Sequence, residues 1–289
     1  MLQFVPERLV KLDLKPFGIG VSSVYMYLDY FNHNYISGNK LRKLYRNILE
    51  AKKNNFETII TIGGNYSNHL YAAAHIPEFY GLHVVAIVKG HEPKKYGYTL
   101  ETLRRKNIPM FFVDFNTLKT DFDSVLTSLK ESYPNAIYIP EGGTNEWSKY
   151  GYEPLIQHHF DEIDILCVPV GTGGTMAAIN KYKKDRTKLR GYCALNDYSL
   201  REHYPLLDLE FKYTFGGYAK TNAPLIDFIL KFKETNNIPL EPVYTGKMMY
   251  GIIEDLKKGV LNPAEKIVAF HTGGLQGLHG FENLNEIQK

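Results

Sequence analysis

The sequence predicts an α/β protein in two lobes, each a mostly parallel twisted sheet flanked by helices. Three features lead there. Short apolar runs alternate with stretches of helical periodicity along the 289 residues. Most of those runs are apolar throughout rather than alternating, which fits strands covered on both faces by helices. A glycine-rich polar stretch, residues 141–151 (EGGTNEWSKYG), separates two such blocks.

The first block opens with a strand-like segment at 21–30, which Ser37, Gly38 and Asn39 break from the first helix. That helix is plainest from Leu41: apolar or aromatic residues fall at 41, 44, 45, 48 and 49, which would leave Arg42, Lys43, Arg46 and Asn47 outward. Strands are expected at 58–62, 84–88, 110–114, 136–140, 163–170, 191–195 and 266–271. Further helices fit 98–106, 121–132, 176–184, 225–235 and 248–258. The expected division is a small domain of residues 40–145 and a large domain of 1–39 plus 146–289. Ligands in such folds favour the cleft at the carboxyl ends of the strands.

Composition narrows the class. A formal charge of +3 with Lys and Arg interleaved among Asp and Glu gives no basic face for nucleic acid. The run Lys181-Tyr182-Lys183-Lys184 reads as the solvated end of a helix. Two cysteines, Cys167 and Cys193, each within an apolar run, point to a reducing compartment without a disulfide framework. No C-x-x-C or H-x-x-x-H spacing suggests a metal site. Residues 1–12 carry Glu7 and Arg8 and no apolar signal core, and no stretch has the length of a membrane span, so the expected location is the cytoplasm.

Val168-Pro169-Val170 runs into Gly171-Thr172-Gly173-Gly174-Thr175, after which a helix begins. Glycines let backbone N–H groups converge on a small anion, threonines add hydroxyls, and the helix adds the positive end of its dipole. A Thr-capped strand-to-helix turn is the plainer alternative. Three glycines and two threonines in five residues exceed what a turn requires. The loop lacks the Gly-Lys-Ser/Thr ending of a P-loop and the G-x-G-x-x-G of a dinucleotide turn, so a single phosphate ester fits best.

Ser37-Gly38-Asn39-Lys40 puts a lysine at a helix start, where a cation is electrostatically misplaced and its pKa falls. Alone it would read as a solvated first-turn residue. Gly63-Gly64-Asn65-Tyr66-Ser67-Asn68-His69 is a second glycine turn leading into a helix. Its start would take a carboxylate on backbone N–H groups with Asn65 and Ser67, or Ser67 or Asn68 is simply an N-cap. His69 reads as a structural or rim residue. Pro242-Val243-Tyr244-Thr245-Gly246-Lys247 and His271-Thr272-Gly273-Gly274 each join a hydroxyl to a glycine turn, and singly each reads as a loop.

Taken in order, SGNKLRKL (37–44), GGNYSNH (63–69), IPEGGTN (139–145), GTGGT (171–175), PVYTGK (242–247) and HTGG (271–274) resemble the family of 1-aminocyclopropane-1-carboxylate (ACC) deaminase and D-cysteine desulfhydrase. These are pyridoxal phosphate (PLP) enzymes of the tryptophan-synthase β-like group, fold type II. The resemblance covers nearly the whole chain, and the Lys40–Ser67 and Tyr218–Tyr244 spacings match it. It implies that Lys40 carries the cofactor covalently and acts as the base at Cα. It further implies that Asn68 meets the cofactor's phenolic oxygen and that Gly171, Thr172, Gly173, Gly174 and Thr175 take its phosphate. Asn65 and Ser67 would hold the substrate carboxylate, with Tyr218 and Tyr244 lining the substrate side. A homodimer is the usual assembly of such enzymes.

ACC deaminases typically have Glu after the second tyrosine and Leu after the C-terminal histidine, whereas this chain has Thr245 and Thr272 at those positions, which the resemblance would put beside the cofactor ring. The pair resembles the D-cysteine desulfhydrase side, which yields pyruvate, ammonia and hydrogen sulfide. Other readings are an ACC deaminase, a lyase of D-serine or another β-substituted alanine, and a non-catalytic PLP-binding homologue. A sugar-phosphate or nucleotide-binding protein would use the 171–175 loop alone. The chain departs from the family pattern in being shorter than typical members. It keeps Asp29 in YLDY but lacks the basic residue before it, and it lacks the usual sequence after Tyr218.

Overall fold

The computed structural model describes residues 8–20, 22–160, 162–281 and 284. In chain order its strands and helices are β1 (Leu9–Lys11), β2 (Val24–Leu28), α1 (Asn39–Lys53), β3 (Thr58–Gly63), α2 (Asn68–Ala73), α3 (Ile76–Tyr80), β4 (His83–Lys89), α4 (Tyr98–Arg105), β5 (Met110–Val113), α5 (Phe115–Thr120), α6 (Phe122–Ser132) and β6 (Ala136–Ile139). After short 3₁₀ turns come α7 (Glu153–His159), β7 (Ile165–Val170), α8 (Gly174–Tyr182), β8 (Lys188–Cys193), α9 (Leu200–His203), β9 (Asp208–Glu210), α10 (Ala223–Asn236), α11 (Thr245–Lys257) and β10 (Ile267–His271). The chain divides into two compact units, one of Met1–Asn32 with Tyr152–Lys289 and one of His33–Gly151.

In the unit of His33–Gly151 the sheet order is β5-β4-β3-β6, with every pair parallel. All six residues of β3 are buried, because helices cover both faces of this central strand. The strands end together at one edge, and β3 passes there into the turn Gly63-Gly64 and α2.

Helix α1 corrects one expectation. Leu41, Leu44, Ile48 and Ala51 do form its apolar stripe, but Arg42, Lys43 and Asn47 are buried too, and Leu49 is partly exposed. The loop that follows β6 supplies the partners. Arg42 Nη1 donates to Gly151 O at 3.1 Å and Lys43 Nζ to Thr144 Oγ1 at 2.9 Å, while Asn47 and Asn145 exchange side-chain hydrogen bonds at 3.2 and 2.6 Å. Buried polar groups paired in this way escape the desolvation cost that periodicity alone assigns them. The backbones of loop and helix touch closely enough that any side chain at Gly151 would collide with Arg42 O. This packing carries the compact unit out to Gly151, beyond the edge of 145 expected from composition.

In the other unit the sheet order is β1-β2-β10-β7-β8-β9, parallel except for the β1–β2 pair. Strands β7 and β10 are buried along their whole length. One face packs against α10 and α11 through Phe228, Ile229, Met248 and Ile252, and the other against α7 and α8 through Leu155, Met176 and Ile179. Cys167 and Cys193 are buried free thiols. Among the described residues no helix is long and apolar enough to cross a membrane.

Candidate active site

Lys40 is the second residue of α1, directly after Gly38, whose φ of 63° favours glycine, and Asn39. Its side chain is only partly accessible, and its ammonium has no hydrogen-bond acceptor among the described residues. Burial pulls its pKa down to about 8, against a smaller upward pull from Glu141. The result is an amine that is neutral in part near neutral pH, as a nucleophile or base requires. One turn on, the Lys43 amine is pushed well below its ordinary value by burial and by the charge of Lys40.

Ser67 is the N-cap of α2, and its Oγ accepts from His69 N and Leu70 N at 3.2 Å each. Because the oxygen accepts in both bonds, the hydroxyl proton can serve a ligand. Gly63 permits this turn: a Cβ there would lie 2.5 Å from Ser67 Oγ. Asn65 Oδ1 is buried with no hydrogen-bond partner. Rotating the amide by half a turn puts Nδ2 in the same place, so a carboxylate there would meet a donor.

His69 is buried rather than at a rim. Thr61 Oγ1 donates to Ile139 O at 2.8 Å and therefore accepts from His69 Nε2–H at 2.6 Å. Burial, with the charges of Lys40 and Lys43, holds this imidazole well below its ordinary pKa. The neutral ring ties the start of α2, with Ser67 and Asn68, to β3 and to the end of β6.

In the other unit, β7 delivers Gly171, Thr172 and Gly173 to the start of α8, whose first residues are Gly174 and Thr175. Gly173 has φ of 82°, and a Cβ there would collide with the Tyr204 ring. The N-cap of α8 is Gly173, which has no side chain to serve as a cap, and a helix start of this kind suits an anion. Thr175 Oγ1 lies 3.2 Å from Tyr152 Oη. The Tyr244 ring closes one side of the loop, 3.0 Å from where a Cβ on Gly171 would stand. Tyr218, about half exposed, meets Tyr244 edge-on with ring centroids 6.2 Å apart.

Thr245 begins α11 and is wholly buried. Its Oγ1 accepts from Glu241 N at 3.1 Å and donates to Glu241 Oε1 at 3.0 Å. The Glu241 carboxylate also takes the N–H groups of Val243, Tyr244 and Thr245 at 2.6–3.1 Å, so it caps the helix. Burial raises its pKa against those bonds. Thr272 is buried after β10. The neighbouring His271 donates from Nε2 to Pro239 O at 2.8 Å and accepts at Nδ1 from Gly273 N at 3.2 Å; burial lowers its pKa to about 4.

Several residues at these sites were not legible as such: Lys43, Asn47 and Asn145 under Lys40, Thr61 behind His69, and Glu241 behind Thr245. The one available signal was Glu241 itself, an acid just ahead of a hydroxyl at a helix start, which is the chemistry of a cap.

Parallel α/β sheets flanked by helices, with glycine turns at their strand ends, give this chain the fold of the fold-type-II enzymes. The chain belongs to the family "Pyridoxal-phosphate dependent enzyme", which matches residues 4–194. It is 28% identical to the mitochondrial bifunctional D-cysteine desulfhydrase/1-aminocyclopropane-1-carboxylate deaminase of Arabidopsis thaliana, over 87% of this chain and 72% of that one. It is 26% identical to the D-cysteine desulfhydrase of Klebsiella pneumoniae, over 85% of each. A crystal structure described as an ACC deaminase homologue superposes with a TM-score of 0.81 at 25% identity, over 99% of this chain and 95% of that one.

The cofactor is therefore pyridoxal 5′-phosphate. The residues present fit it: a partly neutral lysine amine, an uncapped helix start behind a glycine that admits no side chain, and an orphaned amide beside a hydroxyl.

Proposed function

We propose that this enzyme performs α,β-elimination on a small amino acid, with D-cysteine and water giving pyruvate, ammonia and hydrogen sulfide. The observation that carries the reading is position 245, where a hydroxyl stands and the nearby carboxylate of Glu241 is engaged in capping α11. A carboxylate presented to a pyridine nitrogen keeps it protonated and makes the strong electron sink that opening a cyclopropane ring demands. A hydroxyl gives a weaker sink, which suffices when the leaving group is a thiolate.

Lys40 would carry the cofactor, and its free amine would then take the Cα proton. The 171–175 loop would hold the phosphate on backbone N–H groups and the Thr172 and Thr175 hydroxyls, and Asn68 would meet the phenolic oxygen. Thr245 and Thr272 would face the ring. Bound pyridoxal phosphate supplies the electron sink for the pair left at Cα when that proton departs. Ser67 and Asn65 would hold the substrate carboxylate, which fixes the Cα–H bond toward one base. Tyr218 and Tyr244 would line the substrate side and exclude water. The larger unit then serves as the cofactor domain, and a homodimer is the assembly proposed.

Incubation with D-cysteine, L-cysteine, D-serine and ACC, with pyruvate and sulfide measured, tests the reading. Sulfide and pyruvate from D-cysteine are expected, and turnover of ACC alone overturns it. A second reading, with ACC and D-cysteine both accepted, draws on the Arabidopsis relative, which is named as bifunctional for those two activities.

A further inference from the structure

Lys247 stands in the first turn of α11 and has no role in the reaction as described, yet it is 1% exposed. Its Nζ donates to three backbone carbonyls: Gly217 O at 2.6 Å, Thr214 O at 2.7 Å and Ala194 O at 3.2 Å. An ammonium has three protons and no acceptor, so this donor set is complete. A buried cation is costly unless its charge is answered, and a methionine would fill the same volume without that cost.

Two of these carbonyls, those of Thr214 and Gly217, lie beside and within a strained chain segment. Phe215, Gly216, Gly217 and Ala219 have φ of 52°, 93°, 113° and 54°, so two residues with side chains sit in the left-handed region beside two glycines. Such a run persists only when its surroundings hold it. Tyr218 lies inside it, and its ring meets Tyr244, three residues ahead of Lys247. The third carbonyl, on Ala194, follows β8, whose position the sheet fixes. Glu241, capping the same helix, is the carboxylate whose charge favours the ammonium.

We propose that Lys247 is a positioning residue: its ammonium is a tethered cation that gathers the carbonyls of Ala194, Thr214 and Gly217 and thereby holds Tyr218 against Tyr244. The proposal rests on the reading above, in which those two rings line the substrate side.

Two variants test it in the cofactor-loaded enzyme. Lys247→Met keeps the length of the side chain and removes its donors, and Lys247→Ala leaves room for a small amine. With Lys247→Met, amide hydrogen exchange over 214–220 is expected to quicken at least tenfold while α10 is unchanged. Turnover of D-cysteine should fall at least tenfold with the visible absorbance of the bound cofactor retained. With Lys247→Ala, methylammonium chloride should restore protection over 214–220 and tetramethylammonium chloride, too large for the space, should not. That comparison also decides the matter if Lys247→Met does not fold. Native-like exchange over 214–220 in Lys247→Met, or an equal response of Lys247→Ala to the two amines, overturns the proposal. If the native enzyme releases no sulfide or pyruvate from D-cysteine, the proposed reaction fails, and the exchange results still decide the tether.

Discussion

The starts of α1 and α11 each carry a lysine withdrawn from solvent, Lys40 in part and Lys247 wholly, and in both desolvation lowers the pKa to about 8. They differ in what the ammonium can reach. Lys247 meets three carbonyls, whereas Lys40 has no hydrogen-bond acceptor among the described residues. The helix starts differ in the same sense. A carboxylate caps α11, while the N-cap of α1 is Gly38, which has no side chain to serve as a cap. A similar pKa therefore describes two different residues: a satisfied cation belongs to the framework, and an unsatisfied amine is available for chemistry.

Removing the unsatisfied amine has the largest expected effect. Lys40→Ala should lower turnover by roughly a thousandfold or more and abolish visible absorbance. The thermal midpoint of the cofactor-free protein should not fall, since no hydrogen bond is lost. A drop of several degrees would make Lys40 a strut like Lys247 and erase the distinction. Next in size, Gly151→Ala drives a side chain into Arg42 O and should unseat α1 at a cost of about 2–4 kcal/mol in urea unfolding. A cost near zero would show that α1 is not held by that loop.

At the other helix, Glu241→Ala strips the cap from Val243, Tyr244 and Thr245 and should destabilise by about 1–2 kcal/mol. An unchanged midpoint in denaturant would mean that the carboxylate is not holding α11. The smallest effect is one of reactivity in the cofactor-free protein. Lys40 should be acetylated by an amine reagent with a midpoint near pH 8, because the unreactive ammonium prevails below its pKa and the neutral amine above it. Lys247, of similar pKa but enclosed, should stay unmodified across the same range. Peptide mass mapping separates the two, and labelling of both in parallel would refute the comparison.

The strands were the most legible elements. Those at 58–62, 84–88 and 136–140 stand within a residue or two of their expected edges, because an apolar run covered on both faces has little alternative. The glycine loop at 171–175 was visible as a strand running into a helix, although α8 starts at Gly174, two residues earlier than its apolar pattern indicated. The short helices α2, α3, α5, α7 and α9 left no periodic trace, since one or two turns contain too few repeats. The polar face of α1 was misread, because partners for Arg42, Lys43 and Asn47 lie about a hundred residues away in the chain.

What the sequence determined by itself was the α/β class, the strand-to-loop-to-helix units, the family and its cofactor, and the residues worth asking about. Those follow from local patterns and from motifs kept in order. Tertiary structure alone decided which of the two lysines is satisfied and that His69 is a neutral tie to Thr61. These depend on which carbonyls and side chains surround a group. The proximity of residues distant in sequence is produced by packing, and no local pattern encodes it.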